Sequence, residues 1–164
     1  MFKKGDFVVN TNNGICEIKD VVTMNMSGTD KEYYLLIPIN AQTAKVYVPV
    51  DLSSQRIRLA MNKDEALSLI ESIPDIHETY IENEKERERT YKEALNSRDP
   101  KRLVGIIKTL YLRRQKRLDA GKKNTAVDDR YFKLAENHLY NELAFALEID
   151  KSEILDLIFN RITN

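Results

Sequence analysis

The sequence predicts an α+β protein: a small N-terminal β-barrel over residues 1–60, then an all-α helical bundle. Three features of the chain lead there. The first sixty residues break into short β-branched segments separated by turn signals. From Asn62 onward the apolar residues recur at helical spacing instead. Glycine and proline number only five and four in 164 residues, too few for long stretches of coil.

Taken in order, Asp6-Phe7-Val8-Val9 is the first strand. Asn13-Gly14 is a hairpin signal, because both central positions of the favoured turn need positive φ. Residues 16–23 form the next strand, with Ile18, Val21 and Val22 apolar, and Ser27-Gly28-Thr29-Asp30 is a second turn. Residues 33–39 are a near-continuous apolar strand. In residues 45–50, Val46, Val48 and Val50 share one face. Arg56-Ile57-Arg58-Leu59 is a fifth short strand. Strands this short need a closed or half-closed barrel to be stable.

Asn62 then caps a helix whose stripe is Ala66, Leu67, Leu69, Ile70 and Ile73, and Pro74 ends it. Residues 61–75 are expected as a linker helix and residues 76–164 as the helical domain. Residues 78–96 read as a charged helix with sparse apolar contacts at Ile81, Tyr91, Ala94 and Leu95. Asp99-Pro100 opens the next helix, with proline in the first turn where its missing N–H does no harm. Gly121 stops it. A long helix follows over 126–149, carrying Leu134, His138, Leu139, Leu143, Phe145 and Leu147. Asp150 caps a last helix with Ile154, Leu155, Ile158 and Ile162.

The net charge is zero, yet the charges are segregated. Residues 100–133 hold eleven Lys and Arg against three Asp, a local +8. Residues 61–99 carry six basic and eleven acidic side chains (−5), and residues 134–164 carry two and six (−4). Such a block in a neutral chain suggests one face built to meet a polyanion. On the helix from Pro100 to Gly121, Leu103, Val104, Ile106, Ile107, Leu110, Tyr111 and Leu118 make the packed face. Lys101, Arg102, Lys108, Arg113, Lys116 and Lys123 project outside it, while Arg114 and Arg117 continue the stripe beyond Tyr111. Either this basic end overhangs the bundle and pairs with the acidic flanks, or it grips phosphates, with Lys122 and Lys123 extending it.

No enzyme constellation can be assembled. The glycines form no phosphate-cradling loop. His77 and His138 each stand alone, and His138 falls in an apolar register that suits a structural role. Cys16 lies in a strand with no base linked to it, a lone cysteine that fits a reducing compartment. Asp128-Asp129 sit in a first helical turn, where acids complement the helix dipole. The 84–89 run reads as a solvated, self-paired helix face. The start of the chain lacks a signal-peptide core, and no apolar run approaches membrane-spanning length. A cytoplasmic monomer without metal or cofactor is expected.

The order and spacing of several short motifs resemble the CarD family of bacterial RNA polymerase-binding transcription regulators. In the first half these are Phe2-Lys3-Lys4-Gly5-Asp6-Phe7-Val8-Val9, Asn13-Gly14-Ile15, Lys31-Glu32-Tyr33-Tyr34-Leu35 and Val46-Tyr47-Val48-Pro49. They look like the family's Tudor-like (SH3-like) polymerase-interaction module, also found in transcription-repair coupling factors. In the second half they are Tyr91-Lys92, Ser97-Arg98-Asp99, Leu110-Tyr111-Leu112-Arg113-Arg114, Ala135 and Glu142-Leu143-Ala144. These look like the family's helical DNA-contacting domain.

The resemblance implies a non-enzymatic regulator with two contacts. The β module would dock strand to strand on the RNA polymerase β subunit, with Phe7, Met24, Tyr33, Lys45 and Tyr47 as its contact residues. The helical domain would hold promoter DNA at the upstream edge of the transcription bubble and stabilise the open complex. Its DNA contacts would be Arg87, Arg89, Lys92, Arg113, Arg114, Lys116, Arg117, Lys122 and Lys123. The alternative is a polymerase-binding adaptor with no DNA contact. Better-known members carry a tryptophan wedge at the start of the second helix. Counting back from Ser97-Arg98-Asp99 that position is Glu84, and the chain has no Trp. Tyr80 and Tyr91 are the nearby aromatic substitutes. Polymerase-facing positions that are basic in some members fall at Met24 and Tyr47.

Overall fold

The computed structural model describes residues 1–25 and 27–163; Asn164, the end of the expected helical domain, lies outside them. The chain divides into two compact units, Met1–Ala60 and Met61–Asn164.

The first unit is an antiparallel sheet of β1 (Phe7–Asn10), β2 (Gly14–Asn25), β3 (Asp30–Pro38), β4 (Val46–Pro49) and β5 (Ile57–Leu59), in the order β4-β3-β2-β1-β5. The two edge strands are joined by a 3-10 turn, Val50–Leu52, and a single helical turn α1, Ser53–Arg56. Eight helical steps span about 12–16 Å, whereas a flat sheet of this order would be about 19 Å wide. The sheet must therefore curl, and a register shift between Ile18 and Asp20 in the β2–β3 ladder lets it bend. Its concave side buries Val8, Cys16, Ile18, Tyr34, Leu36, Val48 and Ile57. The Tyr34 hydroxyl donates to the Phe2 carbonyl at 3.1 Å, and the two rings meet edge to face, which ties down the N-terminal segment.

The first hairpin differs from the expected two-residue turn. Asn10 pairs with Gly14 across residues 11–13, and Gly14 alone adopts positive φ, at 69°. A three-residue loop closed by a left-handed glycine satisfies the same sequence with only one such residue.

Among the described residues the second unit holds five helices: α2 (Lys63–Ser72), α3 (Arg87–Asn96), α4 (Pro100–Asp119), α5 (Ala126–Leu147) and α6 (Lys151–Thr163). Asn62 and Glu65 form a reciprocal capping box, with side chain to backbone distances of 2.8 and 3.1 Å. Residues 61–75 belong to the core of this unit, since Ala66, Leu69, Ile70 and Ile73 are all buried in it. Tyr91 and Ala94 of α3, residues 103–107 and Leu110 of α4, Ala135, Leu139 and Leu143 of α5, and Ile154 and Ile158 of α6 complete the packing. The buried Glu142 carboxylate accepts from the Met61 amide at 2.8 Å and pins the start of the unit. No helix among the described residues is long and apolar enough to cross a membrane.

Three expectations for this unit are corrected. First, residues 78–83 are not helical. The chain crosses α4 as an irregular strap, then forms a 3-10 turn (Glu84–Glu86) capped by Asn83 before α3 begins. Tertiary contacts outweigh local propensity here. The Thr79 amide donates to Thr109 Oγ1 at 2.8 Å, and a Cβ at Gly105 would meet Thr79 Oγ1 at 3.1 Å and the His77 carbonyl at 3.2 Å. Second, Lys108 does not project outward. It is buried, and its ammonium donates to the carbonyls of Ile73 and Ile76 at the end of the α2 segment. There it caps the Ile76 carbonyl and shares the Ile73 carbonyl with the Ile76 amide. Third, Leu134 is exposed, and α5 ends at Leu147 because Glu148 turns left-handed, with φ of 55°. His138 is half-buried, and burial lowers its pKa.

Candidate polymerase and nucleic-acid interfaces

The strand register brings four of the expected polymerase contacts to one side of the sheet. Residues directly opposite on paired strands share a face. Tyr47 lies opposite Leu35, Tyr33 opposite Val22 and Pro49, and Met24 opposite Lys31. Phe7 lies opposite Glu17, which in turn lies opposite Ile37. All of these are on the convex side, since Val8, Tyr34, Leu36 and Val48 fill the concave one. Phe7 and Tyr47 are exposed, and Tyr33 and Met24 are half-buried beside them. The result is an aromatic and apolar row ending at β4, an edge of the sheet. Lys45 is exposed just before that strand.

The basic residues of the second unit divide into two groups. In one, Glu84, Arg87, Tyr91, Asp128 and Arg113 close a ring. Arg87 Nε and Nη2 donate to the Glu84 carboxylate at 3.1 and 3.0 Å, and Arg87 Nη1 donates to the Tyr91 hydroxyl at 3.1 Å. That hydroxyl donates to Asp128 Oδ1 at 2.7 Å. Asp128 Oδ2 stands 2.7 Å from Arg113 Nε, an ion pair of two buried atoms without an aligned hydrogen bond. Arg113 Nη1 returns to both Glu84 oxygens, at 2.9 and 3.1 Å. Hydrogen bonds from Arg87, then Arg113, hold the Glu84 carboxyl down at about 2. Burial, with Asp128 as acceptor, pushes the Tyr91 phenol up to about 12. Tyr91 is therefore a buried structural residue and no substitute for an exposed aromatic wedge, whereas Tyr80 on the strap is 84% exposed.

Arg89 and Lys92 follow the self-paired pattern expected of this run. Arg89 meets Glu86 and Glu93, and Lys92 lies 3.9 Å from Glu88, which also receives Arg130 and the Tyr131 hydroxyl. Asp128 was legible only as a first-turn acid. Its aspartate type at a helix start, eighteen residues after Leu110, carries no sign of the ring, because the ring joins residues up to 44 positions apart.

The other group sits at the end of α4. The Gly121 amide donates to the Leu118 carbonyl at 3.0 Å and the Lys122 amide to the Arg117 carbonyl at 2.7 Å, with Gly121 at φ of 73°. This Schellman turn folds Lys122 and Lys123 back beside the helix, and Arg117 Nε donates to the Lys123 carbonyl at 2.8 Å. Arg114, Lys116, Lys122 and Lys123 are exposed, and none is in a salt bridge among the described residues. Four cations with a fifth half-buried behind them thus share one helix end.

Comparison with known families follows this division. The CarD-like/TRCF RID domain matches residues 2–60, and the CarD, C-terminal domain matches residues 65–159. No curated protein matches the chain. The first domain is an RNA polymerase β-interacting module, and CarD-like families are non-enzymatic regulators. One match alone spans more than half of the chain, and together they run nearly end to end: the chain belongs to the CarD family of RNA polymerase-interacting transcription factors.

Proposed function

We propose that this protein binds the RNA polymerase β subunit through the β4 edge and the convex row of Tyr47, Tyr33 and Met24, flanked by Phe7 and Lys45. Its helical unit then contacts promoter DNA at the upstream edge of the bubble and stabilises the open complex. The observation that carries the DNA half is the cationic end of α4. Exposed Arg114, Lys116, Lys122 and Lys123 are gathered by one turn and left without salt bridges among the described residues, which suits sequence-independent phosphate contact. An edge strand beside aromatic anchors suits strand addition with hot-spot side chains. The protein acts as a monomer with no cofactor.

The test uses the full chain. Tyr47→Ala should abolish calorimetric binding to the polymerase β lobe while leaving duplex binding at low salt intact. Replacing Lys116, Lys122 and Lys123 by alanine should do the reverse. It should also flatten the slope of log K against log salt by about 0.9 for each phosphate no longer neutralised. Both variants should shorten the lifetime of open complexes challenged with competitor. An unchanged salt slope in the lysine variant would refute the DNA contact. One observation favours the adaptor alternative: Glu84, an exposed carboxylate, stands at the family's wedge position and neutralises Arg87 and Arg113. An adaptor would show no duplex binding even at low salt.

A further inference from the structure

We propose that Arg87 and Arg113 form a binding site for one backbone phosphodiester of duplex DNA, and that the Glu84 carboxylate fills this site in the free protein. The site deepens the DNA reading above and rests on it.

Both guanidinium groups are organised from behind. Asp128, 1% exposed, holds Arg113 Nε at 2.7 Å through Oδ2 and accepts from the Tyr91 hydroxyl at 2.7 Å through Oδ1. The same hydroxyl receives Arg87 Nη1 at 3.1 Å. Each arginine thus has an anchor besides Glu84. In front, the Arg87 Nε/Nη2 fork and Arg113 Nη1 converge on the two Glu84 oxygens with four contacts of 2.9–3.1 Å. Glu84 is the outer layer: its side chain is 69% exposed, against 18% for Arg87 and 21% for Arg113. Lifting it away would present two preset guanidinium edges to solvent.

Charge and shape select the ligand. The ring sums to zero, with two arginines against Glu84 and Asp128 and a neutral Tyr91. A phosphodiester carries one negative charge on two unbridged oxygens, so it replaces Glu84 without altering the sum. The Arg87 fork matches that geometry in a bidentate way, and Arg113 Nη1 adds a third donor. Glu84 lies in a 3-10 turn at the end of the strap, so its withdrawal disturbs one turn and leaves α3 in place. As a tethered competitor it lowers the affinity of the unbound protein for DNA at large. The site opens when other contacts, such as polymerase docking, raise the local concentration of phosphate.

The test compares full-length wild type, Glu84→Gln, Glu84→Ala and the double variant Glu84→Gln/Arg87→Gln. Each is checked for helical circular dichroism and titrated with a random-sequence duplex across a salt series. Glu84→Gln should bind duplex more tightly than wild type, with the slope of log K against log salt steeper by about 0.9 for the one added phosphate. The double variant should lose that gain. A second arm reads melting temperature in inorganic phosphate against chloride of equal ionic strength. Phosphate should stabilise Glu84→Gln more than wild type. Wild type binding duplex with no gain in Glu84→Gln or Glu84→Ala would overturn the site alone. A phosphate response with no duplex binding by any variant would overturn DNA as the ligand, and with it the DNA reading. No response in either arm would overturn both.

Discussion

Replacing Asp128 by alanine tests whether the ring also holds the helical unit together. The carboxylate is 1% exposed and has two partners, the Tyr91 hydroxyl and Arg113 Nε, each at 2.7 Å. Its removal leaves the fully buried Tyr91 hydroxyl without an acceptor, at about 1–3 kcal/mol. Arg113 keeps Glu84 but loses its inner anion, at about 1–2 kcal/mol. The first turn of α5 loses a favourable acid, at about 0.3–1 kcal/mol. The sum, about 2–6 kcal/mol, brackets the roughly 3–5 kcal/mol that breaking a buried pair from one side costs. It is a large fraction of the roughly 5–15 kcal/mol typical of a domain. Asp128→Asn keeps an acceptor for Tyr91 and should cost about 1–3 kcal/mol less than alanine. Urea unfolding followed by far-ultraviolet circular dichroism reports this unit, which holds the long helices. An alanine variant that loses less than about 1 kcal/mol, or an asparagine variant as damaged as alanine, would refute the ring as a stabilising element.

Lys108→Met should destabilise the same unit by about 1–3 kcal/mol, because the Ile76 carbonyl loses the Lys108 ammonium and the Ile73 carbonyl keeps only the Ile76 amide. A gain in stability on denaturation would mean that burial of the ammonium outweighs those bonds. Glu84 should titrate at about 2, well below its ordinary 4.5, when its carboxyl carbon is followed by NMR. A depressed carboxylate contributes stability above pH 4.5 that is lost as pH falls from there through about 2. Arg87→Gln should return its titration toward the ordinary value, and a Glu84 that titrates normally in the wild type would contradict the ring geometry. Cys16 is buried in the module core, and burial pushes its thiol up to about 11. A thiol reagent at neutral pH should label it only as the module unfolds, and rapid labelling of the native protein would refute that placement.

Much of the fold was legible because local chemistry and tertiary structure agree. The β-branched segments of the first sixty residues became the sheet, and Asn62, Asp99 and Gly121 punctuate helices where their side chains, or lack of one, predict. The convex row was readable in outline too, since period-two alternation assigns Tyr33 and Tyr47 to the face opposite Tyr34 and Val48. The strap over residues 78–83 was not readable. Its charged sequence is compatible with a helix, and only Gly105 and Thr109, some thirty residues later, pull it into an irregular path.

The basic block shows the same boundary. Chain order alone concentrates the cations in residues 100–133 and puts seven of the eleven on a helix that Gly121 stops. It could not say which of them remain available, because pairing depends on carboxylates brought near by folding rather than by chain position. Folding holds Arg113 between Glu84 and Asp128, turns Lys108 onto the Ile73 and Ile76 carbonyls, and leaves Arg114, Lys116, Lys122 and Lys123 in solvent. Burial sets the strength of a charge's interactions and geometry sets its partner, and neither is a local property of the chain.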